Sequence, residues 1–244
     1  MHFGGCPGRS TTDSLHLLEY TVKHAWHNKR VASILFLEIE GTFPNVVTNQ
    51  LLHNMRKQCI PEHLVTFTEQ LLQGRRTRLS FNGHLSNWIP ITNGIGQGDP
   101  LLMVLYIIYN SDLVEIAKGK SELTLAFVDD TAFIATGPNF EDTHKTLQNM
   151  LERQGGGFNW SAAHNSCFEM SKFVLLDCSL NKSRPRPPLD ICGTIIKPTH
   201  SHRFLGAIVD NELVMHNIQK DSWGLLSLDG QYSRRDRRPS STVD

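Results

Sequence analysis

The stretch Leu123-Thr-Leu-Ala-Phe-Val-Asp129-Asp130-Thr-Ala-Phe-Ile-Ala135 decides how this chain folds. Two apolar runs, 123–128 and 132–135, flank a pair of adjacent carboxylates. Runs of this length split by such a break read as two strands joined by a tight turn. The turn carries both carboxylates to the edge of a buried sheet. Like charges this close raise each other's pKa and need a cation to offset them near apolar surroundings. Oxygen ligands of this type suit Mg²⁺. Asp-Asp is equally ordinary turn chemistry, and on this stretch alone the two readings stand level.

Outward from this hairpin, residues 31–39 (VASILFLEI) are nearly all apolar and predict a strand covered on both faces, with Glu38 the exception near its end. Ser10-Thr-Thr-Asp13 caps a helix whose apolar face is Leu15, Leu18, Val22 and Ala25/Trp26. Further helices are expected over 48–57 and from Pro61 through Leu64, Phe67 and Leu71 to a stop at Gly74. Segments 76–81 and 88–92 flank Asn82-Gly83 as a hairpin with a loop longer than two residues. A glycine-rich turn, 93–98, leads into one helix running from Asp99 or Pro100 to Lys118. Asn139, with Asp142 three residues on, caps a helix that Gly155-Gly-Gly157 ends. Short strands are expected at 172–178, 191–196 and 204–209, after which periodicity fades.

The chain has 244 residues, 39% hydrophobic and 20% charged, which suits one globular domain or one and a half. Lys plus Arg equals Asp plus Glu at 24 each, so a nucleic-acid partner must be met by a local patch. The five cysteines are widely spaced with no CxxC pair, which favours free thiols over a disulfide framework or structural zinc. No run approaches the roughly 18 apolar residues of a membrane span, and the first residues lack a signal-peptide layout. An intracellular, non-secreted chain with no membrane partner is expected.

Glu38 ends one buried strand, while Asp129 and Asp130 sit at a hairpin tip. If those strands are neighbours, three carboxylates converge at one sheet edge. That is the layout for two Mg²⁺ ions around a transferring phosphoryl group. The plainer alternative is that Glu38 is a strand-end residue reaching solvent.

Five ordered segments carry a resemblance. Gly94-Ile-Gly-Gln-Gly-Asp-Pro-Leu101 and the helix after it resemble the template- and nucleotide-positioning motif of reverse transcriptases. Phe127-Val-Asp-Asp130 resembles their metal-binding box, and Leu35-Phe-Leu-Glu-Ile-Glu-Gly-Thr-Phe43 the strand with the other metal ligand. Residues 2–13 are similar to a motif further upstream, and His202-Arg-Phe-Leu-Gly-Ala-Ile-Val-Asp210 to the hairpin that closes the palm. Order and spacing are similar to the LINE-type, non-LTR retrotransposon family over about residues 2–213.

The resemblance implies an α+β right-hand palm, an antiparallel sheet with helices packed on one face, over 31–213. A partial fingers segment at 1–30 precedes it, and a tail at 214–244 is expected to be disordered. It implies RNA-templated DNA synthesis with Mg²⁺ (or Mn²⁺), an RNA template, a DNA primer and deoxynucleoside triphosphates. Glu38, Asp129 and Asp130 fall on the catalytic carboxylates. Phe43 falls on the aromatic gate beneath the incoming sugar, and Gln97 and Gly98 on the nucleotide and template pocket. Lys172 falls on a lysine near the triphosphate, although a solvated strand-edge lysine explains it equally well. Arg75, Arg76 and Arg78 form the best basic patch for a nucleic-acid backbone.

Departures from the family pattern point to a truncated, decayed and impaired copy. Glu38 stands where the family has Asp, Cys6 where relatives usually carry Arg, and the upstream fingers strands and the thumb are not recognised. A catalytically inactive nucleic-acid-binding remnant is therefore the first alternative. The second is a haloacid-dehalogenase-like phosphatase, since residues 33–42 imitate its strand-and-DxDGT opening with both Asp replaced by Glu. His24/His27 and His200/His202 have spacings that hold metals, but surface histidines at such spacings are commoner.

Overall fold

Seven consecutive buried residues, Val31–Leu37, form the central strand β1 of a five-stranded sheet. The computed structural model describes residues 2–96 and 100–213, and the backbone of 216–217. The other strands are β2 (Glu122–Phe127), β3 (Asp130–Gly137), β4 (Val174–Cys178) and β5 (Pro198–Thr199). Their spatial order is β5-β4-β1-β3-β2, antiparallel except for the β4–β5 pair. The expected α+β class and antiparallel sheet are both present.

Burial on both faces explains why β1 lacks the alternation of a half-exposed strand. Leu35 and Leu37 pack with Phe133, Leu147, Met150 and Trp160, under the helices α5 and α6 described below. Ala32, Ile34 and Phe36 point the other way, onto Leu18, Val22, Ala25 and Phe204. Six α-helices complete the described fold: α1 (Thr11–His27), α2 (Thr48–Lys57), α3 (Glu62–Leu72), α4 (Pro100–Tyr109), α5 (Phe140–Glu152) and α6 (Gly157–Ala163). Thus α5 and α6 cover one face of the sheet, and α1 shares the other with the hairpin 201–210.

Both N-terminal caps form as their residues predict. Ser10 Oγ accepts from Asp13 N (3.3 Å) while Asp13 Oδ2 accepts from Ser10 N (2.7 Å). Asn139 Oδ1 accepts from Asp142 N at 2.8 Å. These bonds satisfy amides that the first helical turn leaves without intrahelical acceptors.

Several local expectations are corrected. The 31–39 strand breaks at Glu38, and Ile39–Glu40 pairs instead with Cys167–Phe168. The tip at 82–83 is a two-residue turn, since Phe81 pairs with His84 and both Asn82 and Gly83 have positive φ. Residues 191–196 and 204–209 are not single strands but parts of hairpins, turning at Cys192-Gly193 and Leu205-Gly206. The helix expected to reach 118 stops at Tyr109, and a 3-10 turn covers Ser111–Ile116. The helix capped by Asn139 ends at Glu152, before the glycine run as expected, and Gly157 opens the further helix α6. Helix α3 carries two apolar stripes. It buries Val65, Thr68 and Leu72, leaving Leu64, Phe67 and Leu71 exposed. The expected tail lies outside the described residues, apart from the backbone of 216–217.

A separate apolar cluster joins α2, α3 and α4 beside the end of the sheet, through Leu51, Met55, Val65, Leu105 and Tyr109. Polar bonds brace it internally and reach the end of α6. Asn54 Nδ2 donates to Tyr109 O (2.8 Å), and the Tyr109 hydroxyl accepts from Val47 N (3.2 Å) and donates to His164 O.

Under α5, Asp177 is fully buried and accepts from Ser33 Oγ (2.5 Å) and from His144 Nε2 (3.0 and 3.1 Å). Thr143 Oγ1 lies 2.7 Å from the same Ser33 oxygen. The Asp177→Ala variant leaves these groups without their shared acceptor. It is expected to lower stability by about 3 kcal/mol, read as a lower urea midpoint at unchanged slope. A loss below about 1 kcal/mol would show that the network does not pin α5 to the sheet.

Candidate active site at the end of the central strands

The β2–β3 ladder pairs Phe127 with Asp130, so the hairpin turn consists of Val128 and Asp129 alone. Val128 has φ +59°. Positive φ at the first turn position is the geometry that glycine favours, and a β-branched residue there is strained by roughly 1–3 kcal/mol. Such strain persists only where neighbours over-determine the conformation. A Cβ on Gly4 would stand 2.8 Å from Val128 Cγ2 and from Val128 N, so the N-terminal segment lies hard against the turn. Phe3 N anchors that segment on Ala126 O at 2.8 Å.

The β1–β3 ladder pairs Leu37 with Thr131. Continuing that register by one residue sets Glu38 across from Asp130. Glu38, Asp129, Asp130, Lys172, His202 and Phe204 line one cleft of about 300 Å³. Glu38 Oε1 accepts from Lys172 Nζ at 2.6 Å, with both side chains half-exposed. That pair raises the Lys172 pKa, through the hydrogen bond to Glu38 above all. The Asp130 carboxyl is pushed up to about 6, first by desolvation and then by the charges of Asp129 and Glu38. Burial raises the Tyr106 hydroxyl well above its ordinary value, and Asp129 adds to the shift.

The donor chemistry of this cleft fits a hard divalent cation: three carboxylates, one compensated by a lysine, two repelling each other. Among the described residues no three His, Cys, Asp or Glu side chains converge closely enough to grip an ion as they stand. The Lys172 bond accounts for Glu38, whose carboxylate is turned to an ammonium. His200 and His202, like His24 and His27, form no such group. His202 instead packs its ring 4.5 Å from Phe36 and lines the cleft, with its pKa lowered by burial. Its place there follows from the 201–210 hairpin lying against β1, which its spacing to His200 does not indicate.

Not every expected site residue reaches the cleft. Phe43 sits in the loop after Glu38, with its ring 5.0 Å from Tyr106 of α4. The glycine-rich turn is clamped on this loop: Gly94 N donates to Val46 O (2.7 Å) and Ile95 N to Phe43 O (2.9 Å). Gly94 has φ +81°, and a Cβ on it would stand 2.6 Å from Pro44 O, so only glycine fits. Gln97 and Gly98 lie outside the described residues. Arg75 is engaged with its own backbone surroundings, donating to Leu72 O (3.0 Å) and Gly94 O (2.5 Å). Arg76 and Arg78 each stack on Trp88 at 4.7 Å, on the exposed hairpin away from the carboxylates. A larger groove, about 820 Å³, runs between α1 and the start of β2. Its one acid, Glu122, is bound by Arg153 at 2.6 Å, so it lacks comparable chemistry.

Asp130 gives this site a pH signature. Between the ordinary value of 3.8 and about 6, the folded carboxyl holds a proton that the unfolded chain has lost. Stability therefore falls as pH rises through that window and stays lowered above it. In chelator, Asp130→Asn is expected to stabilise the chain by about 1 kcal/mol near pH 7.5 and negligibly near pH 4, screening at this partly exposed group included. Urea unfolding at both pH values reads the difference, and an equal gain at both would contradict it.

The sequence matches the reverse transcriptase (RNA-dependent DNA polymerase) family over residues 2–209. The RNA-directed DNA polymerase from mobile element jockey of Drosophila melanogaster is 26% identical over 89% of this chain and 24% of its own length. A retrovirus-related Pol polyprotein from a type-1 retrotransposable element R2 of Popillia japonica is 24% identical, over 80% of this chain and 34% of its own. The chain spans about a quarter of the length of the jockey and X-element relatives it matches. Apo telomerase from Candida tropicalis, truncated from its C-terminal domain, superposes with TM-score 0.62 over 88% of this chain and 40% of that one, at 13% identity. Telomerase from the same organism, in complex with a TWJ fragment of telomeric RNA, gives 0.64 over 90% and 34%, at 11% identity. Identities this low show a shared fold alone, and none of these comparisons supports the phosphatase alternative. A match running from the segment beneath the Asp-Asp turn to the hairpin beside the cleft places the chain in the reverse transcriptase family.

Proposed function

We propose that this chain is the palm of an RNA-templated DNA polymerase, with Glu38, Asp129 and Asp130 as its catalytic carboxylates. The observation that carries the reading is their shared cleft: two sources far apart in sequence, β1 and the β2–β3 turn, meet at one sheet edge. These residues would hold Mg²⁺ or Mn²⁺, which supplies charge stabilisation to phosphoryl transfer when bound. The chain's own residues do the positioning. Glu38, here bonded to Lys172, would be one of the groups that hold the ion, and the Lys172 ammonium, which lines the same cleft, would offset triphosphate charge. The Phe43 ring, backed by Tyr106, is the wall against which an incoming sugar packs. Gln97 and Gly98 follow Ile95 and Gly96 in sequence and are proposed to contact nucleotide and template.

Arg76 and Arg78 with Trp88 combine cationic and stacking surfaces on one hairpin and are the groups proposed to meet the template. Arg75 supports this hairpin from its base. The RNA bound by the telomerase neighbour and the family match support an RNA template. The primer and deoxynucleoside triphosphates are proposed from the family match alone.

One observation favours a second reading, a nucleic-acid-binding chain without catalysis. Glutamate at 38 is a methylene longer than the family's aspartate and is already paired with Lys172. A displacement of about 1 Å at a positioned centre can lower rate roughly a hundred-fold. Primer extension on poly(rA)/oligo(dT) separates the two. On the catalytic reading, Glu38→Asp raises Mg²⁺-dependent incorporation at least about tenfold, and Asp129→Asn in that background abolishes it. Template-primer binding with no incorporation by either protein favours the second reading. Extension insensitive to Asp129→Asn overturns the site assignment.

Binding is tested separately. Arg76→Ala with Arg78→Ala is expected to weaken template-primer affinity about tenfold near physiological salt and to flatten its salt dependence, as loss of phosphate contacts requires. Unchanged affinity and salt slope would remove this hairpin from the interface.

A further inference from the structure

Helix α4 stops where its apolar pattern predicts that it continues. Asn110 follows Tyr109 with φ −97° and ψ 10° and opens the 3-10 turn. Its side chain is fully buried, and its Nδ2 donates to the carbonyl oxygen of Val128 at 2.5 Å. Its side chain also interacts with the Tyr106 hydroxyl and the His2 ring, which are buried beside it. Asn110 thus aims an amide donor at the one residue of the Asp-Asp turn with positive φ.

The turn is therefore gripped from two sides, by Gly4 in van der Waals contact and by the Asn110 amide. The second grip also connects two parts of the cleft region. One helical turn before Asn110, Tyr106 packs on Phe43. A shift of α4 moves the aromatic wall and the turn together.

We infer that Asn110 is a positioning residue for Asp129: its amide holds the Val128 carbonyl, keeps the turn in its left-handed conformation, and registers the carboxylate against the Phe43–Tyr106 wall. The inference rests on the reading of the carboxylate cleft as a cation site. It explains why the helix breaks at Asn110, and why valine is tolerated where glycine is the natural choice. It assigns no contact between Asn110 and any substrate.

The test is a four-protein cycle on the intact chain: unmodified, Asn110→Ala, Val128→Gly and the double variant. Mn²⁺ affinity is read by electron paramagnetic resonance, with Asp129→Asn as control. Removing a group that orients a ligand is expected to weaken Mn²⁺ binding about tenfold. With glycine at 128 the same removal should weaken it less than about twofold, because glycine adopts positive φ without strain. Equal losses in both backgrounds overturn the inference. If Asn110→Ala fails to fold while the double variant folds, the inference is supported, and if neither folds it is overturned. Should Mn²⁺ binding prove indifferent to Asp129→Asn, the cation-site reading has failed. Urea unfolding of the same proteins still decides the Asn110–Val128 coupling: non-additivity of about threefold or more in the unfolding constant supports it, and additivity overturns it.

Discussion

The register of β1 against β3, with Leu37 opposite Thr131, is the constraint on which the cleft depends. It brings the end of β1 alongside the turn that closes β2 and β3, so that carboxylates about ninety residues apart in sequence line one cleft. A slip of one residue would exchange the faces of every side chain on a strand buried on both sides. Ala32, Ile34 and Phe36 fit the α1 layer, while Leu35 and Leu37 fit the α5 layer, and neither set fits the other's place. The core thereby enforces the geometry of the cleft, and the Ser33–Asp177–His144 network adds a polar tie of β1 to β4 and α5.

Placing three carboxylates together is electrostatically unfavourable, and the chain answers in two local ways. Lys172 compensates Glu38 directly, and Asp130 keeps its proton to higher pH than an ordinary aspartate. A divalent cation would replace both answers at once. The strained Val128 turn belongs to the same pattern: the backbone accepts an unfavourable conformation so that Asp129 and Asp130 leave the sheet side by side.

Much of this was legible from residues alone because it rests on local pattern. The unbroken apolar run of β1, the caps at Ser10 and Asn139, and the Asp-Asp hairpin each have a short-range cause. The turns at Cys192-Gly193 and Leu205-Gly206 were hidden because their first residues are poor turn formers, held at positive φ by the strands they join. The exposed stripe of α3 was illegible because both of its faces are apolar and only packing decides which is buried. The Lys172–Glu38 bond joins residues 134 positions apart, and the Asn110 contact depends on a helix break that periodicity does not encode. Motif order singled out the three carboxylates; the lysine bonded to Glu38 and the asparagine bonded to Val128 needed the fold.

The central claim is that Glu38, Asp129 and Asp130 form one divalent-cation site. Anomalous diffraction from crystals of the intact chain soaked in Mn²⁺ tests it most directly. The account predicts an anomalous peak in the cleft within coordination distance of Asp129 and Asp130, with Glu38 released from Lys172 and turned toward the ion. Mn²⁺ bound only elsewhere, with the Lys172–Glu38 pair intact and no peak at the Asp-Asp turn, would contradict it.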